Sequence, residues 1–122
     1  MPRISVIQIN VDNMDEAIDF YSNKLGFPVE SKAHYPDIVK LQQEGVTFLL
    51  YRVTKKAQID YPNVAQTLIN VVTDDLVGTL DQLKRQGVAI LHDRPEPCPV
   101  GIYAGVRDPA GNVLELIEYK KA

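Results

Sequence analysis

From Ile4 to Val11 the chain alternates, with Ser5, Ile7, Ile9 and Val11 on one face and Ile4, Val6, Gln8 and Asn10 on the other. A period of two sends successive side chains to opposite sides of a sheet, so this segment is predicted as a strand. The period then changes. Met14, Ala17, Ile18, Tyr21 and Leu25 recur at helical spacing, preceded by Asp12 and Asn13 as N-cap candidates, with Glu16 three residues after Asn13 as in a capping box. Gly26 closes the helix, and Phe27 to Ser31, Ile38 to Gln42 and Val46 to Val53 read as three more strands.

The second half repeats this order. Thr67 to Val72 is a predicted strand, Asp74 and Asp75 are cap candidates, Leu76, Leu80 and Leu83 form an apolar stripe, and Gly87 ends the helix after Lys84 and Arg85. Val88 to Leu91, Ile102 to Arg107 and Val113 to Tyr119 supply three strands, the last two joined by the turn Asp108-Pro109-Ala110-Gly111-Asn112. Val11 to Val72 and Gly26 to Gly87 have equal spacing, which places strand end and helix end in register between the halves. The predicted class is therefore α+β, with tandem β-α-β-β-β units at about 1–60 and 64–122 and a polar linker at about 55–63. A ferredoxin-like fold is the competing reading, but it places two strands, not three, after its first helix.

Composition narrows the partners. The chain has 122 residues, the size of one domain, with thirteen Lys and Arg dispersed among sixteen acids for a net charge of -3. That balance gives no footprint for nucleic acid or an anionic membrane. Cys98 is the single cysteine, so no intramolecular disulfide and no cysteine-cluster metal site is expected, and neither a signal peptide nor a membrane span is expected. The cytoplasm is the expected compartment.

Two phrases carry a family resemblance. Val11-Asp12-Asn13-Met14-Asp15-Glu16-Ala17-Ile18-Asp19-Phe20-Tyr21-Ser22-Asn23-Lys24-Leu25-Gly26-Phe27 resembles the first helix of the vicinal oxygen chelate superfamily, the glyoxalase, bleomycin resistance and extradiol dioxygenase proteins. Asp108-Pro109-Ala110-Gly111-Asn112-Val113-Leu114-Glu115-Leu116-Ile117-Glu118 resembles its closing hairpin. The resemblance implies curved mixed sheets around a cavity, and a divalent metal held by the first and last strands of each unit. Carried over residue by residue, those ligand positions fall on Val6, Leu49, Thr67 and Glu115. Only Glu115 is a good donor, because valine and leucine have no lone pair and a threonine hydroxyl is a weak one. The expectation is therefore no metal cofactor and a cavity that binds a small organic molecule. The alternatives are a lyase, isomerase or dioxygenase-like enzyme built on Glu115, and a ligand-free dimer scaffold. The resemblance also implies a homodimer, the commonest symmetric assembly.

Other candidates follow from strand faces and loops. Gln8 and Asn10 share the face of Val6, Tyr51 lies on the last strand of the first unit, and Tyr103 and Arg107 lie on the penultimate strand of the second; with Glu115 these are the expected ligand contacts. An arginine among tyrosines suits a carboxylate or a planar ligand, although Arg107, next to the Asp108 turn, has a structural reading as well. His34 and His92 sit beside strands, within reach of a cavity mouth. Cys98 lies in Asp93–Gly101, whose alternate prolines favour an extended loop able to act as a lid, and its thiol has no activating neighbour in the sequence.

Overall fold

The computed structural model describes residues 1–122. The chain divides into two compact units, Met1–Ala57 and Gln58–Ala122. Both are α+β, each a mixed sheet with a helix on one face. No helix is long and apolar enough to cross a membrane.

In the first unit the order is β1 (Val6–Val11), α1 (Met14–Ile18), a π-helical continuation over Asp19–Lys24, β2 (Val29–His34), β3 (Ile38–Leu41) and β4 (Thr47–Arg52). The sheet order is β1-β4-β3-β2, with β1 parallel to β4 and the other pairs antiparallel. The predicted alternation decides which face is covered. Ile9, Val11, Val39, Leu41, Phe48 and Leu50 are buried, as are Met14, Ala17, Phe20 and Tyr21 of the helix, while Val6, Gln8 and Asn10 point to the open side. Asn13 is the observed N-cap, its side chain accepting from the Glu16 N–H at 3.1 Å.

The second unit runs β5 (Asn70–Val72), α2 (Leu76–Arg85), β6 (Ala89–Ile90), β7 (Glu96–Cys98), β8 (Gly101–Arg107) and β9 (Val113–Tyr119). Its sheet order is β5-β9-β8-β6, and β7 also pairs with β8. Ala104, Val106, Leu114 and Leu116 are buried together with Leu76, Leu80 and Leu83 of α2. Asp75 caps α2 by accepting from the Gly78 N–H at 3.1 Å, and Glu118 reaches from β9 to accept from the Leu76 N–H at 2.8 Å. Two N–H groups at the helix start that lack an intrahelical acceptor are thereby satisfied.

Three expectations change. The strand expected at Thr67 to Val72 begins only at Asn70. The segment Asp93–Gly101, expected as a free extended loop, contributes β7, whose residues Glu96, Pro97 and Cys98 face Tyr103, Ile102 and Gly101. Proline is tolerated there because β7 is paired on one side only. The register between halves also shifts. In β1 it is Asn10 that faces Tyr51, and the matching pair in the second unit is Val72 with Ile117. Val72 is accordingly 59% exposed, whereas Val11 is fully buried. Between cap and closing glycine the first helix has one residue more than the second, from Asn13 to Gly26 against Asp75 to Gly87. The π segment absorbs it, with the Leu25 N–H donating to the carbonyl of Phe20, five residues back.

The β8–β9 hairpin is locked by one side chain. Asp108, 4% exposed, accepts through Oδ1 from the Ala110 and Asn112 N–H groups at 2.9 and 2.8 Å, and through Oδ2 from Asn112 Nδ2 at 3.0 Å. Gly111 adopts φ 89°, a conformation that favours glycine. The Asp-Pro-x-Gly-Asn phrase is thus a turn in which the carboxylate substitutes for missing backbone acceptors. Replacing Asp108 by Ala leaves these donors unpaired in a buried turn and is expected to cost about 3 kcal/mol; urea unfolding monitored by circular dichroism measures it.

Candidate functional site

The open face of the second sheet is set by the β8–β9 register. Tyr103, Gly105 and Arg107 face Ile117, Glu115 and Val113, and Asn70 of β5 faces Glu115 from the other side. Glu96 of β7 faces Tyr103. Glu115 therefore stands in the middle of this face, with a glycine on one flank and an asparagine on the other.

Over Gly105 lies a tyrosine from the segment that precedes β5. An added Cβ at position 105 would come within 3.1 Å of the Tyr61 ring, so even an alanine there would require the ring to give by a few tenths of an ångström. From there the Tyr61 hydroxyl donates to Glu115 Oε2 at 2.5 Å. Burial, followed by the hydrogen bond and charge of Glu115, pushes the Tyr61 phenol well above the ordinary tyrosine range. The phenol therefore remains a donor throughout the neutral range.

His92 completes the frame. Its ring meets those of Tyr61 and Tyr103 edge to face, with centroids 5.6 and 5.5 Å away and interplanar angles of 87° and 82°. The Gly105 N–H donates to His92 Nδ1 at 2.9 Å, which selects the tautomer carrying its proton on Nε2. Gly105 thus seats Tyr61 by lacking a side chain and orients His92 through its amide. His92 also lines a separate hollow of about 280 Å³ with Val77, Leu80, Ile90 and Pro95.

Arg107 is occupied elsewhere. Its Nη1 donates to the carbonyls of Ile59 at 3.1 Å and Gly111 at 3.0 Å. The guanidinium ties the segment carrying Tyr61 to the hairpin turn, which is the structural reading of this residue. Neither Glu115 nor Glu96 is ion-paired; the pairs present are Lys24–Asp19, Lys40–Glu30 and Arg52–Asp37.

Of the six expected contacts, Tyr103, Arg107 and Glu115 share the open face of the second sheet. Gln8, Asn10 and Tyr51 share that of the first, where Gln8 Nε2 donates to Asn10 Oδ1 at 2.8 Å. His34 is exposed at the end of β2, and Cys98 is a half-buried free thiol in β7. Tyr61 is not legible in the sequence: it lies in the polar stretch that reads as a linker, and no period marks it. Asn70 was missed through the one-residue register shift, which makes it, and not Ile69, the counterpart of Gln8.

The same shift bears on the metal positions. The Glu115 N–H donates to the carbonyl of Ile69, and the Thr47 N–H to that of Ser5, so the residue matching Val6 is Leu68 and not Thr67. Val6, Leu49 and Leu68 supply no donor, and no three His, Cys, Asp or Glu side chains converge anywhere. The residues present do not fit the superfamily's four-ligand metal site.

The glyoxalase/bleomycin resistance protein/dioxygenase superfamily model matches residues 3–116. The chain belongs to this superfamily. Within it, the chain is 29% identical over 122 residues to an uncharacterised protein of Shewanella frigidimarina, covering 92% of this chain and 90% of that one. It is 28% identical over 125 residues to an uncharacterised protein of Pseudomonas aeruginosa, covering 94% and 87%. Among solved structures, an antibiotic binding protein from Streptomyces sp. CB03234 superposes with a TM-score of 0.73 at 22% identity over 98% of both chains. A lactoylglutathione lyase from Agrobacterium tumefaciens does so with 0.72 at 21%, over 97% and 94%. At these identities the structural likeness establishes the fold.

Tyr61→Phe keeps the ring and removes the donor, and is expected to destabilise the protein by about 1.5 kcal/mol, the worth of a hydrogen bond to a charged group. Because the folded-state pKa of Tyr61 is raised, its contribution is complete below the unfolded tyrosine pKa near ~10 and is lost as pH rises further. Ultraviolet titration of the phenols should show the variant lacking one late-ionising group.

Proposed function

We propose that this superfamily member binds a small organic molecule without a metal, on the open face of its second sheet. The observation that carries the reading is the state of Glu115. The one family-type donor is held by the Tyr61 phenol inside a frame of Tyr61, His92 and Tyr103, while hydrophobic side chains stand at Val6, Leu49 and Leu68. A carboxylate held by a phenol and bordered by rings offers a hydrogen-bond acceptor and flat apolar surface, the usual mixture of a ligand site. The fold shared with an antibiotic binding protein is consistent with such a role.

Two measurements test this together. Elemental analysis of protein purified without chelator should find far less than one transition-metal ion per chain; a stoichiometric ion bound through Glu115 would overturn the reading. A thermal-shift screen of aromatic and drug-like compounds should yield ligands that stabilise by about 2.7 kcal/mol at a hundredfold excess over Kd, with the shift reduced in Tyr103→Ala. Turnover of a hit would move the assignment to the lyase, isomerase or dioxygenase-like alternative.

A further inference from the structure

Granted the small-molecule reading of this face, we infer that its ligand is an organic cation, a quaternary or protonated amine carried on an apolar body. Glu115 is satisfied on one side only. Oε2 accepts from Tyr61, while Oε1 takes part in no hydrogen bond and is not fully buried. A second carboxylate stands on the same face: Glu96 faces Tyr103 across the β7–β8 ladder and adds its negative charge to the field at the Tyr61 phenol. Neither acid has a lysine or arginine partner.

The cation nearest in the ladder, Arg107, donates to two backbone carbonyls instead. Its Nη1 is thereby anchored to the backbone and forms no ion pair with Glu115 or Glu96. Two unpaired carboxylates on one face repel an anion and attract a cation.

The rings strengthen the preference. Tyr61, His92 and Tyr103 stand successively at 87° and 82°, so two phenol rings border the imidazole at right angles. Aromatic faces carry negative quadrupole charge and attract ammonium groups, most strongly where water is excluded. Tyr61 spends its proton on Glu115, so at the carboxylate itself the frame presents acceptor oxygen flanked by aromatic rings.

The test is a set of three compounds of similar size: benzyltrimethylammonium, 2-phenylethanol and phenylacetate. Each is titrated into the full chain while the Gly105 amide and the tyrosine and histidine ring signals are followed by NMR. Benzyltrimethylammonium should saturate these signals with a Kd at least tenfold below that of 2-phenylethanol, and phenylacetate should leave them unmoved. Glu115→Gln preserves a carbonyl acceptor for Tyr61 and should remove the tenfold advantage of the cation over the alcohol. Tyr103→Leu, which keeps bulk but removes the ring, should weaken the cation several-fold and provides a second variant should the first be unstable. Equal binding of alcohol and cation, tighter binding of phenylacetate, or an unchanged advantage in Glu115→Gln would overturn the cation assignment and leave the small-molecule reading standing. Silence from all three compounds would overturn the cation assignment as well, and the small-molecule reading falls with it only if the thermal-shift screen also yields nothing.

Discussion

The hydrogen bond from Tyr61 to Glu115 is made across a position, Gly105, that carries no side chain. On a sheet face every second residue projects toward the same side, so Glu115 would ordinarily stand beside a side chain from the neighbouring strand. Glycine there lets the Tyr61 ring lie close over the strand, and the phenol reaches the carboxylate. The same glycine's amide fixes His92, whose ring then spaces Tyr61 from Tyr103. Arg107 holds the incoming segment by its Ile59 carbonyl, and the Asp108 turn holds the hairpin on which Glu115 and Gly105 face each other.

Glu115 then acquires a chemistry different from that implied by the superfamily resemblance. A metal-binding carboxylate needs its lone pairs free and other donors converging on the same point. Here one oxygen is engaged by a phenol and the corresponding positions of the fold carry aliphatic side chains. Superfamily membership and residues that do not fit the family's four-ligand site are compatible, because fold depends on the covered face of each sheet and chemistry on the open one. The covered faces carry Val11, Leu50, Val106, Leu114 and Leu116, whereas Glu115 stands on an open one.

The two units share a plan without being copies in register. One extra residue in the first helix is accommodated as a π segment, so the closing glycines align with one offset and the strands and caps with another. A side-chain period of two makes that single residue decisive: it turns Val72 outward where Val11 is buried, and places Asn70, not Ile69, beside Glu115.

Amino-acid order by itself determined what depends on near neighbours: the alternation that covers Ile9 and Val11, the caps at Asn13 and Asp75, the turn closed by Asp108, the isolation of Glu115 as a donor, and with them the superfamily. These are encoded within a few residues, because strand pleat, helix turn and capping geometry are short-range. Only the tertiary structure decided the site. Tyr61 lies in a polar stretch far along the chain from Glu115, Arg107 anchors its Nη1 on two backbone carbonyls, and β7 pairs in place of a free loop. Such contacts depend on the path of the chain between distant segments, which leaves no period for a sequence to display.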